Sequence, residues 1–415
     1  MNKFIFSLVL TFLSIAGFGQ QNSAYQNDLQ FLYEALIKTP SYKDQITGNK
    51  KQEYDLLYQQ LKTAKINPSG FDSLFKLSSL LWPIKDNHLG FYETANQEFK
   101  ANMLTDTALV KKFRQSVNFK SYLVTKMSVD SLERELRRKP LNSVEGIYEQ
   151  GGMKIGIYST MGSGNFTGVM LSRDSPIWAR GEMVLLLNRI SADRFRGVYA
   201  NLYTKDLYFI KNELFNNGRL YYFGSKRESS HILGYINSTK PLLALHSIST
   251  NTQYLRLGNF RTSNDALALS QQFYNKIKDS LTAENLIVDL RNNPGGGFKS
   301  SGKFLSLLRQ YSHKGKIHVL INNRTVSNAE QFTVKLKTYD HVKTYGETTL
   351  GMITYGSNYG NTATLPSGKY KFYPTDMSDS GNYLPYEEMG IAPDFFLDQK
   401  SDWIEQVYAL IKQAK

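Results

Sequence analysis

Apolar residues recur at helical spacing through residues 24–84. Leu29, Leu32, Leu36 and Ile37 form one stripe, Tyr54, Leu57 and Leu61 a second, and Phe71, Leu74, Phe75 and Leu77 a third. A repeat of three to four residues marks amphipathic helices. Pro40, Pro68 and Pro83 punctuate them. Ser131 to Arg138 adds another helical piece, so a helical domain is expected over 20–142. The texture then changes. Gly146–Tyr148, Met153–Tyr158, Phe166–Leu171, Met183–Leu187 and Leu220–Phe223 are short apolar runs separated by Gly, Asn, Ser or Asp. That spacing predicts an antiparallel β module over 143–236. From 237 to 415 strand and helix signals alternate. Tyr254–Phe260, Leu286–Leu290 and Ile317–Ile321 read as strands, with helices over Ala266–Leu281, Gly302–Leu308 and Asn328–Lys337 and a closing helix from Trp403. Such alternation predicts an α/β core.

The first 19 residues stand apart. Lys3 precedes an apolar run from Phe4 to Phe18, broken only by Ser7, Thr11, Ser14 and Gly17, and Gly17-Phe18-Gly19 follows. A basic start, an apolar stretch and small residues at its end are the marks of a secretory signal. A cut before Gln20 and a periplasmic or secreted product are expected. The run is short for a membrane span of ~20 residues, so no stable span is expected once the signal is removed. The chain has no Cys, which excludes disulfides, thiolate metal sites and a Cys nucleophile. Its net charge is +14, yet Lys and Arg are spread without a dense cluster. No nucleic-acid motif accompanies them, so a solvated basic surface is the expectation.

Four segments could carry chemistry. Leu286 to Gly297 runs a buried-type strand into Asp289-Leu-Arg-Asn-Asn-Pro-Gly-Gly-Gly297. Glycines let the backbone turn sharply and present N–H groups to a bound atom. Ile317 to Phe332 runs a strand into a helix that opens at Ser327. The free N–H groups there favour developing negative charge, but Ser327 and Glu330 also fit a capping box, S-x-x-E. Asp86-Asn-His88 supplies an imidazole that could accept a hydroxyl proton. Tyr386 to Asp394 supplies carboxylates, among them Glu387, that could orient a histidine or a water.

Taken together these segments resemble the carboxyl-terminal processing peptidases and tricorn-core proteases, a serine peptidase family. The family order is D-x-R-x-N-x-G-G, S-x-A-E, G-x-x-T-x-G and G-[IV]-x-P-D. Here it reads Asp289 to Gly296, Ser327 to Glu330, Gly346 to Gly351 and Gly390 to Asp394. The resemblance covers about 250–400. It implies a crotonase-like α/β catalytic core, with the helical N-terminal domain and the β module as additions. It places Ser327 as nucleophile, and it places the Asn328 amide with one from Gly295-Gly296 as an oxyanion hole. Two departures matter. The processing branch has a lysine base after the T-x-G turn, and here that position is Met352. The tricorn-like branch takes its base from an upstream D-x-H segment, supported by a Glu three residues before the closing glycine. Those positions are His88 and Glu387, although Asn87 replaces the serine before the histidine. No carboxylate-binding loop of a PDZ domain is recognisable in 143–236.

The resemblance thus implies an exported endopeptidase acting on peptides or unfolded protein, with His88 deprotonating Ser327 and no metal or organic cofactor. The alternative is an inactive peptide-binding relative, for which Met352 and Asn87 speak. A histidine of ordinary pKa would make activity fall as pH drops through roughly 6–7.

Overall fold

The computed structural model describes residues 23–66, 70–95, 99–116, 119–160, 164–173, 175–226, 234–237, 239–356, 358 and 360–413. The expected leader over 1–19 lies outside them. The chain divides into two compact units, 1–230 with 357–377 and 231–356 with 378–415. The structure thus groups the helical segment and the β module together. Leu29, Leu32, Leu74 and Leu77 of the helices share one core with Ile155, Leu185, Val198 and Phe223 of the β module.

In the first unit, helices span 23–36, Pro40–Gln45, Asn49–Thr63, Gly70–Ser78, Thr107–Gln115 and Val129–Leu136. Their starts follow capping chemistry. Thr39 accepts the Tyr42 N–H at 3.2 Å ahead of Pro40. Asp106 accepts the Ala108 and Leu109 N–H groups. Such caps satisfy donors that the first helical turn leaves open.

The β module is a closed antiparallel barrel. Strands Gly146–Gln150, Met153–Ser159, Asn165–Met170, Met183–Arg189, Arg194–Ala200 and Leu207–Asn216 pair in sequence. Two short strands, Arg219–Leu220 and Gly224–Ser225, link the last of these back to the first. Closure leaves the ring no free edge. The sequence pattern missed Arg194–Ala200 and Leu207–Asn216 because buried polar residues interrupt their apolar runs. Arg194 donates to the Asn212 carboxamide at 3.2 Å, Lys211 to the Leu81 carbonyl at 3.0 Å, and Glu213 accepts the Tyr222 amide at 3.1 Å. The expected Leu220–Phe223 strand is interrupted by a turn over 221–223.

A further strip extends this sheet. Gly90–Glu93, directly after His88, pairs with Leu207–Asn216 on one side. On the other it pairs with Tyr370–Tyr373, Gly90 facing Tyr373. A piece of chain that follows the T-x-G turn in sequence is therefore built into the first unit.

The second unit holds a six-stranded sheet. Leu243–Ser249 pairs antiparallel with Thr252–Leu257. Asn285–Asp289, Lys316–Ile321, Val342–Gly346 and Phe395–Phe396 then follow in parallel. Helices Asn264–Ile277, Phe298–Ser312 and Asn328–Leu336 make the crossovers, and Trp403–Gln413 closes the chain. Both faces of the sheet are buried, as in parallel sheets generally. Leu286, Val288, Ile317, Val319 and Ile321 pack toward Phe304, Leu308 and Phe332. Ile287 and Leu320 pack toward Trp403, Val407 and Ile411. The α/β alternation expected from 237 onward is present, and Leu243–Ser249 is a strand the sequence did not signal.

An ion pair sits inside the first unit. Lys205 Nζ lies 2.7 and 2.9 Å from the two Glu182 oxygens and 2.8 Å from the Lys120 carbonyl. The rings of Trp178 and Phe119 are 4.3 and 4.5 Å from it. Removing one partner of a buried pair strands the other charge and costs about 3–5 kcal/mol. Lys205→Met should lower the stability of the full chain by that amount in urea unfolding followed by tryptophan fluorescence. An unchanged midpoint would contradict the pair's structural role.

Candidate active site

The parallel strands of the second unit deliver three loops from their C-terminal ends, where open α/β sheets place their sites. Asn285–Asp289 leads to the glycine loop, Lys316–Ile321 to Ser327, and Val342–Gly346 to the T-x-G turn.

Asp289 and Arg291, the D-x-R pair, turn inward. The Arg291 guanidinium donates to both Asp289 oxygens, 2.7 Å at the shortest, and the Tyr254 hydroxyl donates to the same carboxylate at 2.8 Å. This buried cluster fixes the strand end. Beyond it, asparagines join the two loops. The Asn292 amide donates to Asn322 Oδ1 at 2.9 Å, and Asn322 Nδ2 donates to Asn292 Oδ1 at 2.7 Å. The Val326 amide donates to the Asn293 carbonyl at 2.9 Å.

Ser327 occupies φ 57°, ψ −123° at the mouth of its helix. A non-glycine residue with positive φ outside the usual wells costs about 1–3 kcal/mol and persists only where its surroundings over-determine it. The strain has a visible source of support. Glu330, wholly buried, accepts the Ser327 N–H at 2.9 Å. The same carboxylate accepts the Thr349 hydroxyl at 2.6 Å, the Gly351 N–H at 2.7 Å and the Met352 N–H at 3.1 Å. One side chain therefore holds the serine turn and the T-x-G-M segment together. Burial raises the Glu330 carboxyl above its ordinary pKa, and these four hydrogen bonds oppose the rise.

The capping box is present in outline, but its two halves differ. The Glu330 amide donates to the Ser327 carbonyl at 2.8 Å. The Ser327 hydroxyl makes no side-chain cap hydrogen bond of normal geometry. The residue is half-buried, and its side chain faces the Glu330 amide in the capping box without a full cap hydrogen bond.

The glycine loop lies against this turn. A Cβ on Gly295 would come within 2.6 Å of the Val326 carbonyl oxygen, 2.8 Å of the Asn328 nitrogen and 2.9 Å of Ser327 Cβ. Its φ of 87° also demands glycine. Its amide is engaged, donating to Asn293 Oδ1 at 2.8 Å. The contribution of Gly295 is thus close approach. The Gly296 and Asn328 amides make no hydrogen bond among the described residues. They are the donors left for an oxyanion.

Glu387 is also wholly buried, and its carboxylate accepts the Ile353 and Thr354 amides at 2.9 and 2.8 Å. It therefore holds the chain just past Met352. The structure brings Ser327, Asn328, Gly295, Gly296, Met352 and Glu387 into the second unit. His88 belongs to the first. Its amide donates to Asp86 Oδ1 at 3.0 Å, and the other Asp86 oxygen accepts the Thr375 hydroxyl at 2.5 Å. Burial holds the His88 imidazole down to a pKa of about 4, and its Nδ1 has no hydrogen-bond partner among the described residues. Burial pushes Asp86 up to about 6, against hydrogen bonds from Thr375, Ser41 and the His88 amide. No group of His, Asp or Glu among the described residues could hold a metal ion.

Residues 303–396 match the model of peptidase family S41. That stretch of the chain is similar to peptidases of family S41. The match supports a serine-type peptidase acting on peptides or proteins. No similar protein was found among curated ones. Several solved structures are similar at low identity. A putative peptidase from Parabacteroides merdae is 13% identical, with 94% of this chain and 96% of that one covered and a TM-score of 0.37. Mature CPAF complexed with lactacystin is 12% identical over 95% and 98%, with a TM-score of 0.41. The tricorn protease is 12% identical over 94% of this chain and 37% of that one, with a TM-score of 0.40. These likenesses are too distant to argue from, so the site is read from its own geometry.

Two parts of that geometry were missed in the sequence. Glu330 enters there as a capping partner and a motif position, with no sign of its bonds to Thr349, Gly351 and Met352. Asn293 enters there only as a motif position, and the pairing of the doublet 292–293 with 322–323 not at all, although paired Asn residues after two neighbouring strands are a signal for loops joined side by side. The strain at Ser327 yields a direct test. Ser327→Gly should be more stable than Ser327→Ala by about 1–3 kcal/mol in chemical denaturation, because only glycine relieves a positive φ. Equal stability would show that the turn is unstrained.

Proposed function

We propose that this chain is an exported endopeptidase of the S41 kind that acts through an acyl-enzyme on Ser327, with His88 as general base. The observation that carries the reading is the Ser327 turn. A serine held in a costly conformation, whose hydroxyl makes no full cap hydrogen bond, with two unbonded amides available, has the features of a nucleophile. His88, neutral above about pH 4, has a lone pair available to take the Ser327 proton. In this reading Ser327 Oγ attacks the peptide carbonyl, the Asn328 and Gly296 amides receive the oxyanion, and His88 passes the proton to the leaving amine. A water deprotonated by the same imidazole then releases the acyl group. Glu387 acts through the backbone, keeping the Ile353–Thr354 segment in place. Met352 takes no proton, because a thioether has no basic nitrogen. We further read the mostly parallel sheet as a crotonase-like core, and residues 1–19 as the signal that exports the chain.

Cleavage of unfolded casein tests the assignment. Ser327→Ala should abolish it, and His88→Ala should lower kcat/KM by about 10²- to 10⁴-fold, the usual share of a general base. Met352→Lys should not rescue His88→Ala. Rescue would show that a lysine dyad is the working template. The acid limb should fall near pH 4, below histidine's usual 6.5, because protonating a buried imidazole is disfavoured. A smaller step near 6 would report Asp86 and should vanish in Asp86→Asn. A full loss between pH 7 and 6 in that variant would contradict a depressed His88 pKa.

A further inference from the structure

A second polar group beside Ser327 has no partner. Asn328 is 8% exposed, and its Oδ1 is buried with no hydrogen-bond partner among the described residues. A buried acceptor left unbonded costs about 1–3 kcal/mol, so its presence calls for an explanation.

The polarity of that amide is set by its neighbours. The Ile353 carbonyl can only accept, and Gln331 Nε2 donates to it at 2.8 Å. Gln331 must therefore turn its Oε1 the other way, where Asn328 Nδ2 donates to it at 3.2 Å. Asn328 in turn must present Oδ1 on its remaining side. Turning either amide over would set two acceptors or two donors against each other. The relay from Ile353 through Gln331 to Asn328 thus fixes an acceptor one residue from the nucleophile. Thr354, next in the same segment, has a buried hydroxyl that also has no partner among the described residues. Both are on elements that Glu330 and Glu387 hold rigid.

We propose that Asn328 Oδ1 is a substrate-binding acceptor that takes a main-chain N–H of the bound peptide within one residue of the attacked carbonyl. Every peptide offers such a donor, so the contact positions the chain without selecting a side chain. The backbone N–H of Asn328 holds the oxyanion while its side chain holds the neighbouring amide, and one residue thereby fixes both the carbonyl and the strand that carries it. The proposal rests on reading Ser327 as the nucleophile.

The test uses a peptide spanning the first bond cut in unfolded casein. Copies of it have one amide N–H at a time replaced by an ester oxygen, leaving the scissile link intact. Binding is measured by calorimetry on the full Ser327→Ala chain. One copy, altered next to the scissile bond, should bind at least tenfold more weakly than the parent peptide. In a chain that also carries Asn328→Ala, parent and copy should bind within twofold of each other. Gln331→Leu, which keeps Asn328 but frees its orientation, should shrink the penalty in the same direction and serves should Asn328→Ala fold poorly. A full ester penalty in both variants would overturn the proposal and leave Oδ1 to an internal water. Casein cleavage that persists in Ser327→Ala would instead overturn the nucleophile reading, and the ester comparison would separate the two failures.

Discussion

The arrangement of the second unit depends on one buried carboxylate. Glu330 collects donors from Ser327, Thr349, Gly351 and Met352. Each donor would be costly to bury alone, and together they offset part of the desolvation that raises the acid's pKa. The geometry that results is strained at Ser327 and nowhere relaxed by the serine's own hydroxyl. The helix opens on a half-buried serine in a capping box, and the two readings of S-x-x-E separate on the use of that hydroxyl.

The same economy of contacts recurs around it. Gly295 admits the glycine loop to within contact of the serine turn, and Asn293 and Asn322 hold the loop there. Glu387 fixes the segment after Met352 by two backbone amides. In the first unit Asp86 holds the His88 backbone in the same way. Carboxylates here act on main-chain N–H groups and so place whole segments, which is a firmer constraint than orienting a single mobile side chain.

Much of this was legible in the sequence because the second unit obeys simple rules. Leu286–Val288 and Val319–Ile321 are unbroken apolar runs, fully buried, and their motifs stand at or just past the strand ends. The first unit obeys them less. Arg194, Lys211 and Glu213 are buried in barrel strands, where their partners come from distant chain segments such as Leu81 and Tyr222. A local pattern cannot reveal such partners, so the two strands read as loops. The placing of Tyr370–Tyr373 beside Gly90–Glu93 was hidden for the same reason, since pairing across that separation leaves no local trace. The pKa of His88 was likewise beyond reach, because burial alone lowers it. Glu330 was visible, but its four donors come from two segments that only the fold brings together.

The central claim is that the fold holds Ser327 strained and its hydroxyl free for attack. Mass spectrometry of the full chain after exposure to a fluorophosphonate measures this most directly. The account predicts a single adduct that peptide mapping places on Ser327 and that Glu330→Ala slows strongly. No adduct, or one on another serine, would contradict it.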